Sequence, residues 1–307
     1  NRAGKGQKMA KTECYWYISE SLHPWEAAVA GALARALIRG GSEINVFAAA
    51  GTDELNIPGI LSWHSMTALE RASAVLFRGR LWHLWGAPPP WWPLVRLRSR
   101  TVHTGFSPET KWKGHPTVLS AAGRRGGVTC IPPALEVKVN WGGEGPPRGD
   151  GREEALVCMF AGDDGNLAEY SFPAGLGVEI RSIGSDGRQG MENLTFSRAL
   201  LIIENPSPSL ALLAAGWALM GVPTAAPASA FMDEMLGACG YIHLNRAAGP
   251  GAVQEALARL AGEGGRGASA AARRLASEQF APERGAKKLE SLYSSLARKK
   301  DERENEG

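Results

Sequence analysis

Cysteine is scarce in this chain. Its 307 residues hold four, Cys14, Cys130, Cys158 and Cys239, with no C-x-x-C pair and no histidine at metal-ligand spacing. A disulfide scaffold and a zinc site are thereby excluded, and buried thiols in a reducing compartment are expected. Long hydrophobic runs are missing as well. None approaches the roughly 18 residues that a membrane span requires. The N-terminus has no apolar core of the signal-peptide kind, and Asn1 to Lys8 reads as a flexible leader ahead of Met9. A cytoplasmic protein is the expectation. Net charge is small too: +3 is far from the basic field of a nucleic-acid binder. What is present is enough apolar residue for a globular protein, and enough length for two cores of ordinary size.

The apolar pattern alternates between strand-like and helix-like segments. Tyr15 to Ile18 suits a first strand, and Trp25 to Arg39 a helix with Ala30, Leu33, Ala34 and Leu37 on one face. Gly40-Gly41 stops that helix, and Ile44 to Ala48 makes the next strand, which together predict a parallel βαβ unit. Ala74 to Phe77, Leu81 to Trp85, Thr101 to His103 and Val128 to Ile131 are further strand candidates. The Gly/Pro cluster from Trp141 to Gly151 reads as a linker, which predicts domains over 9–140 and 154–280 joined through 141–153. After it the rhythm restarts, with strands at Ala155 to Ala161, Val178 to Ile183, Ala199 to Ile203, Thr224 to Ala226 and Gly240 to Leu244. Helices are expected at Leu210 to Met220, Val253 to Leu260, Ala268 to Gln279 and Lys287 to Ala297, with a charged, frayed tail from Arg298. Two doubly wound α/β domains follow, and in such sheets ligands bind beyond the carboxyl ends of the strands.

The segment Leu200-Leu201-Ile202-Ile203-Glu204-Asn205-Pro206-Ser207-Pro208-Ser209-Leu210, continuing to Gly221-Val222-Pro223, is the most specific in the chain. It resembles the donor-binding strand, turn and helix of the retaining GT-B fold glycosyltransferases (glycosyl transferases group 1). Ala36 to Phe47, Arg100 to Thr104 and Phe280 to Tyr293 are similar to further segments of that family, so the resemblance spans about Tyr15 to Ala297. It implies two Rossmann-like domains facing a central cleft, with helix 281–297 packing back on the N-terminal domain. The family carries two glutamates flanking the start of the donor helix; here Pro208 and Gly216, with seven residues between them, stand in their places. The Arg and Lys that usually follow the first strand of the C-terminal domain are replaced by Gly162-Asp163-Asp164.

The resemblance implies a nucleotide-sugar as co-substrate and no metal. It places the donor at Gly162, Asp163, Pro206, Ser207, Ser209 and Leu210, with Gly184 and Ser185 near the base. Backbone N–H groups at a helix start suit a diphosphate, while Ser207 and Ser209 equally suit simple helix capping. His103 is the catalytic candidate, a strand-end histidine able to contact sugar or diphosphate; a satisfied, buried histidine is the alternative. Asp163-Asp164 reads as a turn more readily than as a metal site.

Between Arg78 and Arg125 arginine and lysine outnumber a single acid, Glu109, with tryptophans among them. Trp91, Trp92, Arg96 and Arg98 are expected on a face that meets an acceptor or an anionic membrane surface, the latter at the inner face of the membrane. Core packing of Trp82 and Trp85 beneath solvated arginines remains the competing reading. Two functions follow. One is transfer of a sugar to a cell-surface, lipid-linked or protein acceptor. The other is an inactive family member serving as a binding or partner subunit of a glycosylation system.

Overall fold

The computed structural model describes residues 13–20, 22, 24–49, 64–76, 79–105, 115–119, 128–136, 157–161, 179–182, 199–203, 205–237, 240–245, 249–261 and 272–305. The 141–153 segment lies outside them. The strands are β1 (Glu13–Ile18), β2 (Glu43–Ala48), β3 (His64–Ser65), β4 (Leu81–Trp85), β5 (Arg100–Gly105), β6 (His115–Val118), β7 (Thr129–Cys130), β8 (Val157–Ala161), β9 (Glu179–Ser182), β10 (Ala199–Ile202), β11 (Thr224–Ala226) and β12 (Ile242–His243). The helices are α1 (Pro24–Arg39), α2 (Ala68–Leu76), α3 (Trp92–Arg98), α4 (Pro208–Leu219), α5 (Ala230–Leu236), α6 (Pro250–Ala261), α7 (272–279) and α8 (Pro282–Asn305).

The strands form two parallel sheets. One has seven strands in the order β3-β2-β1-β4-β5-β6-β7, the other five in the order β12-β11-β10-β8-β9. In each, the order reverses around the first strand: beside β1 and β4 in the larger sheet, beside β8 and β10 in the smaller. Crevices at such reversal points are where doubly wound sheets take ligands.

Strand alternation explains the packing. Cys14, Trp16 and Ile18 of β1 enter one cluster, while Tyr15 and Tyr17 pack on the other face. β4 is buried along its whole length, as expected of a central parallel strand. In β10, Leu200 and Ile202 join the same cluster as Trp16 and Ile18, and Leu201 turns to α6. One apolar cluster therefore contains residues of both sheets together with α1, α4 and α8. α8 lies along α1, where Gly285 permits the approach: a Cβ there would stand 2.5 Å from Leu33 Cδ2. Arg39 binds Glu136 at 2.9 Å and Glu283 at 3.2 Å beside this contact.

Three expectations are corrected. Ala74 to Leu76 belongs to α2, not to a strand. A capping box starts that helix: Thr67 Oγ1 accepts from the Glu70 N–H at 3.2 Å, and Glu70 Oε2 accepts from the Thr67 N–H at 2.8 Å. The charged tail is helical through Asn305. Trp92, expected on an exposed face, is 3% exposed, and Trp91 is half-buried against Tyr17. Both indoles close over the aromatic group of Tyr15, Phe47 and Trp82 because α3 lies flat on the sheet.

Candidate functional site

The smaller sheet presents its reversal point at the end of β10. The chain leaves Ile202 and Ile203, passes Pro206, and starts α4 with Ser207 as N-cap, whose hydroxyl accepts from the Leu210 N–H at 3.2 Å. Pro208 follows at the first helical position, where its missing N–H costs nothing. Ser207, Pro208 and Ser209 are half-buried, whereas Pro206 and Leu210 are buried. Ser207 thus performs the capping role, and the half-exposed helix start follows the carboxyl end of β10, the strand paired with β8. Gly162, Asp163, Gly184 and Ser185 lie outside the described residues.

Beyond its first turn α4 is apolar on every side, and Leu210 to Ala218 is buried throughout. A helix of that kind must be enclosed. Part of the enclosure is Trp25, from the first turn of α1: a Cβ at Gly216 would stand 2.7 Å from its Cζ3 and 3.0 Å from its Cη2. The indole lies against bare backbone at this position. Gly221, at φ +78°, closes the helix, with Val222 N–H on the Trp217 carbonyl at 2.9 Å.

The larger sheet presents its own reversal point where Ser19 meets β4. Ser19 N–H donates to the Trp85 carbonyl at 3.0 Å. Gly86 turns away with φ +84°, and a Cβ on it would stand 3.0 Å from Ser19 Cβ. His103, near the end of β5, donates from Nε2 to the Gly86 carbonyl at 2.8 Å and is 8% exposed. Burial pulls its pKa below the ordinary 6.5, and the Gly86 bond opposes that only in part. His103 is therefore neutral, buried, and holds the turn that follows β4.

His83, in the centre of β4, carries no signal in the sequence beyond its place in a strand. Its Nδ1 lies 2.5 Å from Tyr293 Oη of α8, and its Nε2 lies 2.6 Å from Thr104 Oγ1. Thr104 Oγ1 in turn bonds Thr117 Oγ1, which donates to the His103 carbonyl at 3.0 Å. A carbonyl only accepts, so the direction of every bond is fixed. Thr117 gives its proton to His103, Thr104 gives its own to Thr117, His83 donates from Nε2, and the Tyr293 hydroxyl donates to Nδ1. Burial holds the His83 pKa well below 6.5 and that of Tyr293 well above 10.0, so both stay neutral. A lone histidine in a buried strand signals such a network, since every buried polar atom needs a partner. Cys14, beside Tyr293, is pushed up to about 12 by burial and is not a nucleophile.

Arg96 is half-buried and Arg98 exposed, both on α3. They lie on the opposite face of the sheet from α1 and α8, since α3 packs with Tyr17, Phe47 and Trp82. Among the described residues no group of three or more His, Cys, Asp or Glu side chains converges to hold a metal ion. No described helix is long and apolar enough to cross a membrane.

No protein-family model matches the chain, and no curated protein does. Solved structures do. A glycosyltransferase from Rickettsia africae superposes with a TM-score of 0.58 at 11% identity, over 94% of this chain and 99% of that one. Sucrose-phosphate synthase from Thermosynechococcus elongatus gives 0.56 at 13%, over 92% and 99%. A glycosyltransferase involved in avilamycin A biosynthesis gives 0.55 at 14%, over 92% and 98%. The fold is α/β, of parallel-sheet Rossmann-like character, and its structural neighbours are GT-B glycosyltransferases.

Proposed function

We propose that this chain is a glycosyltransferase-like protein that receives a nucleotide-sugar at the start of α4, from Pro206 to Leu210, for transfer to a cell-surface, lipid-linked or protein acceptor. The observation that carries it is the half-exposed, capped helix start at the β8–β10 reversal point. The Trp25 contact leaves this end open. Gly216 follows Pro208 by eight residues, which places it about 12 Å further along the helix axis. In this reading the diphosphate meets the α4 N-terminus, and Gly162, Asp163, Gly184 and Ser185 line the rest of the donor pocket. In the same reading His103, neutral, contacts the reacting sugar, and transfer proceeds with retention. The protein works in the cytoplasm without a resident metal.

A second reading, an inactive member of such a family acting as a binding or partner subunit, rests on the residues at 208 and 216. Neither Pro208 nor Gly216 offers a carboxylate to donor hydroxyls, and removing one hydrogen bond to a transition state costs on the order of 2–4 kcal/mol. Incubation with UDP- and GDP-sugars, reading release of nucleoside diphosphate, separates the two. Release that disappears on blocking the helix start with Ser209→Trp supports the enzyme. Saturable binding without release, with or without added acceptor, supports the subunit.

A further inference from the structure

Four of the large hydrophobic side chains that the fold leaves exposed gather on α2 and α3: Leu69 at 80%, Leu76 at 63%, Leu94 at 51% and Leu97 at 82%. The two helices touch and cover the same face of the seven-stranded sheet. Their inward sides are satisfied, Ala74 from α2 and Trp92 and Val95 from α3 joining the aromatic cluster. On α2 the outward side carries Leu69, Ala72 and Leu76 at helical spacing; on α3 it carries Leu94 and Leu97.

The charge around these leucines is mainly positive. From residue 79 to 105 the chain carries Arg80, Arg96, Arg98 and Arg100 and no acid. Glu70, the one acid on α2, is engaged in the capping box with Thr67. Neither Arg96 nor Arg98 is paired with an acid among the described residues. A protein partner would bury the leucines equally well, yet it would have to supply a carboxylate for each arginine. An anionic lipid surface supplies both needs at once, acyl chains beneath and phosphates at the level of the guanidinium groups.

We propose that the α2–α3 face docks on an anionic membrane surface, with Leu69, Leu76, Leu94 and Leu97 entering the interface and Arg96 and Arg98 meeting lipid phosphate. The leucines replace the tryptophans as the apolar element of this face, because the indoles are used up in the core beneath it. The inference is independent of any activity at the start of α4.

Co-sedimentation of the full chain with vesicles tests it. Binding is expected to phosphatidylcholine vesicles containing phosphatidylglycerol and not to phosphatidylcholine alone, and it should weaken as salt is raised. Leu94→Asp with Leu97→Asp should lower the partition by about tenfold or more. Arg96→Glu and Arg98→Glu should each lower it by at least about fivefold. Leu94, Leu97 and Arg98 are exposed and Arg96 is half-buried, so melting temperatures should stay within about a degree or two of wild type. Failure of the wild type to bind either vesicle would overturn the proposal. So would variants that bind as wild type does, or leucine variants whose only effect is to dissolve a dimer seen by light scattering.

Discussion

The six-membered ring of Trp25 occupies the space that a side chain on Gly216 would need, 2.7 Å from the position of its Cβ. One residue opens α1 and the other lies deep in α4, so the contact joins a helix of the larger sheet to a helix of the smaller one. It also fixes what α4 can carry at this position. A carboxylate at residue 216 would be driven into an indole.

Gly216→Ala therefore overpacks the contact. We expect a loss of about 1–3 kcal/mol in urea unfolding. Trp25→Ala, which empties the same space, should cost about 3–5 kcal/mol. In the double variant the new methyl group stands in the cavity left by the indole, so the two losses should fall short of their sum by about 0.5 kcal/mol or more. Strict additivity would mean that the two residues do not touch.

Tyr293 is expected to be the pin that fastens α8 to the sheet. Replacing it by Phe keeps the ring and removes the hydroxyl, leaving His83 Nδ1 buried without a donor. The loss should be about 1–3 kcal/mol, read as a drop of several degrees in Tm. His83→Phe relieves the stranded Nδ1, so Tyr293→Phe should cost less in that background. Equal cost in both backgrounds would show that the relay is not energetically continuous.

The two buried histidines also set the acid limb of stability. Each titrates lower folded than unfolded, so the unfolded chain takes up protons first as pH falls below 6.5. Their contribution is complete above 6.5 and is lost as pH falls toward and through the folded values. Tm should be level from about pH 8 to pH 7 and should fall toward pH 5. His103→Gln keeps an N–H for the Gly86 carbonyl and cannot titrate, so its acid limb should be shallower. A wild-type Tm that rises on acidification would reverse the sign and contradict this account.

Much of the fold is legible locally. Leu81 to Trp85 and Ala199 to Ile203 read as strands because they are buried on both faces and carry nothing that breaks a strand. Gly41, at φ +92°, and Gly221 mark helix ends that the sequence announces. α2 is disguised because Ala74 to Phe77 looks like a short apolar strand, although the Thr67–Glu70 capping box stands upstream in plain view. α3 is hidden behind Pro88-Pro89-Pro90, and the short strands β3 and β6 lie toward the sheet edges, where burial writes little into sequence. The site is less legible. Ser207 can be read as a cap, since a cap is a local device. The fit of Trp25 on Gly216 cannot, because the two are 191 positions apart and neither has a local reason to be conspicuous. His83 is visible in the sequence, but only α8 explains it, by bringing Tyr293 to its ring.

A nucleotide-sugar bound at the start of α4 should stabilise the fold. Titration of the wild-type chain with UDP, GDP and their sugars, followed by thermal shift up to millimolar ligand, reads it directly. A saturable rise of several degrees is expected with at least one nucleotide-sugar, corresponding to roughly 2–3 kcal/mol near a hundredfold excess over Kd, and it should be lost in Ser209→Trp. No shift with any of these ligands would contradict it.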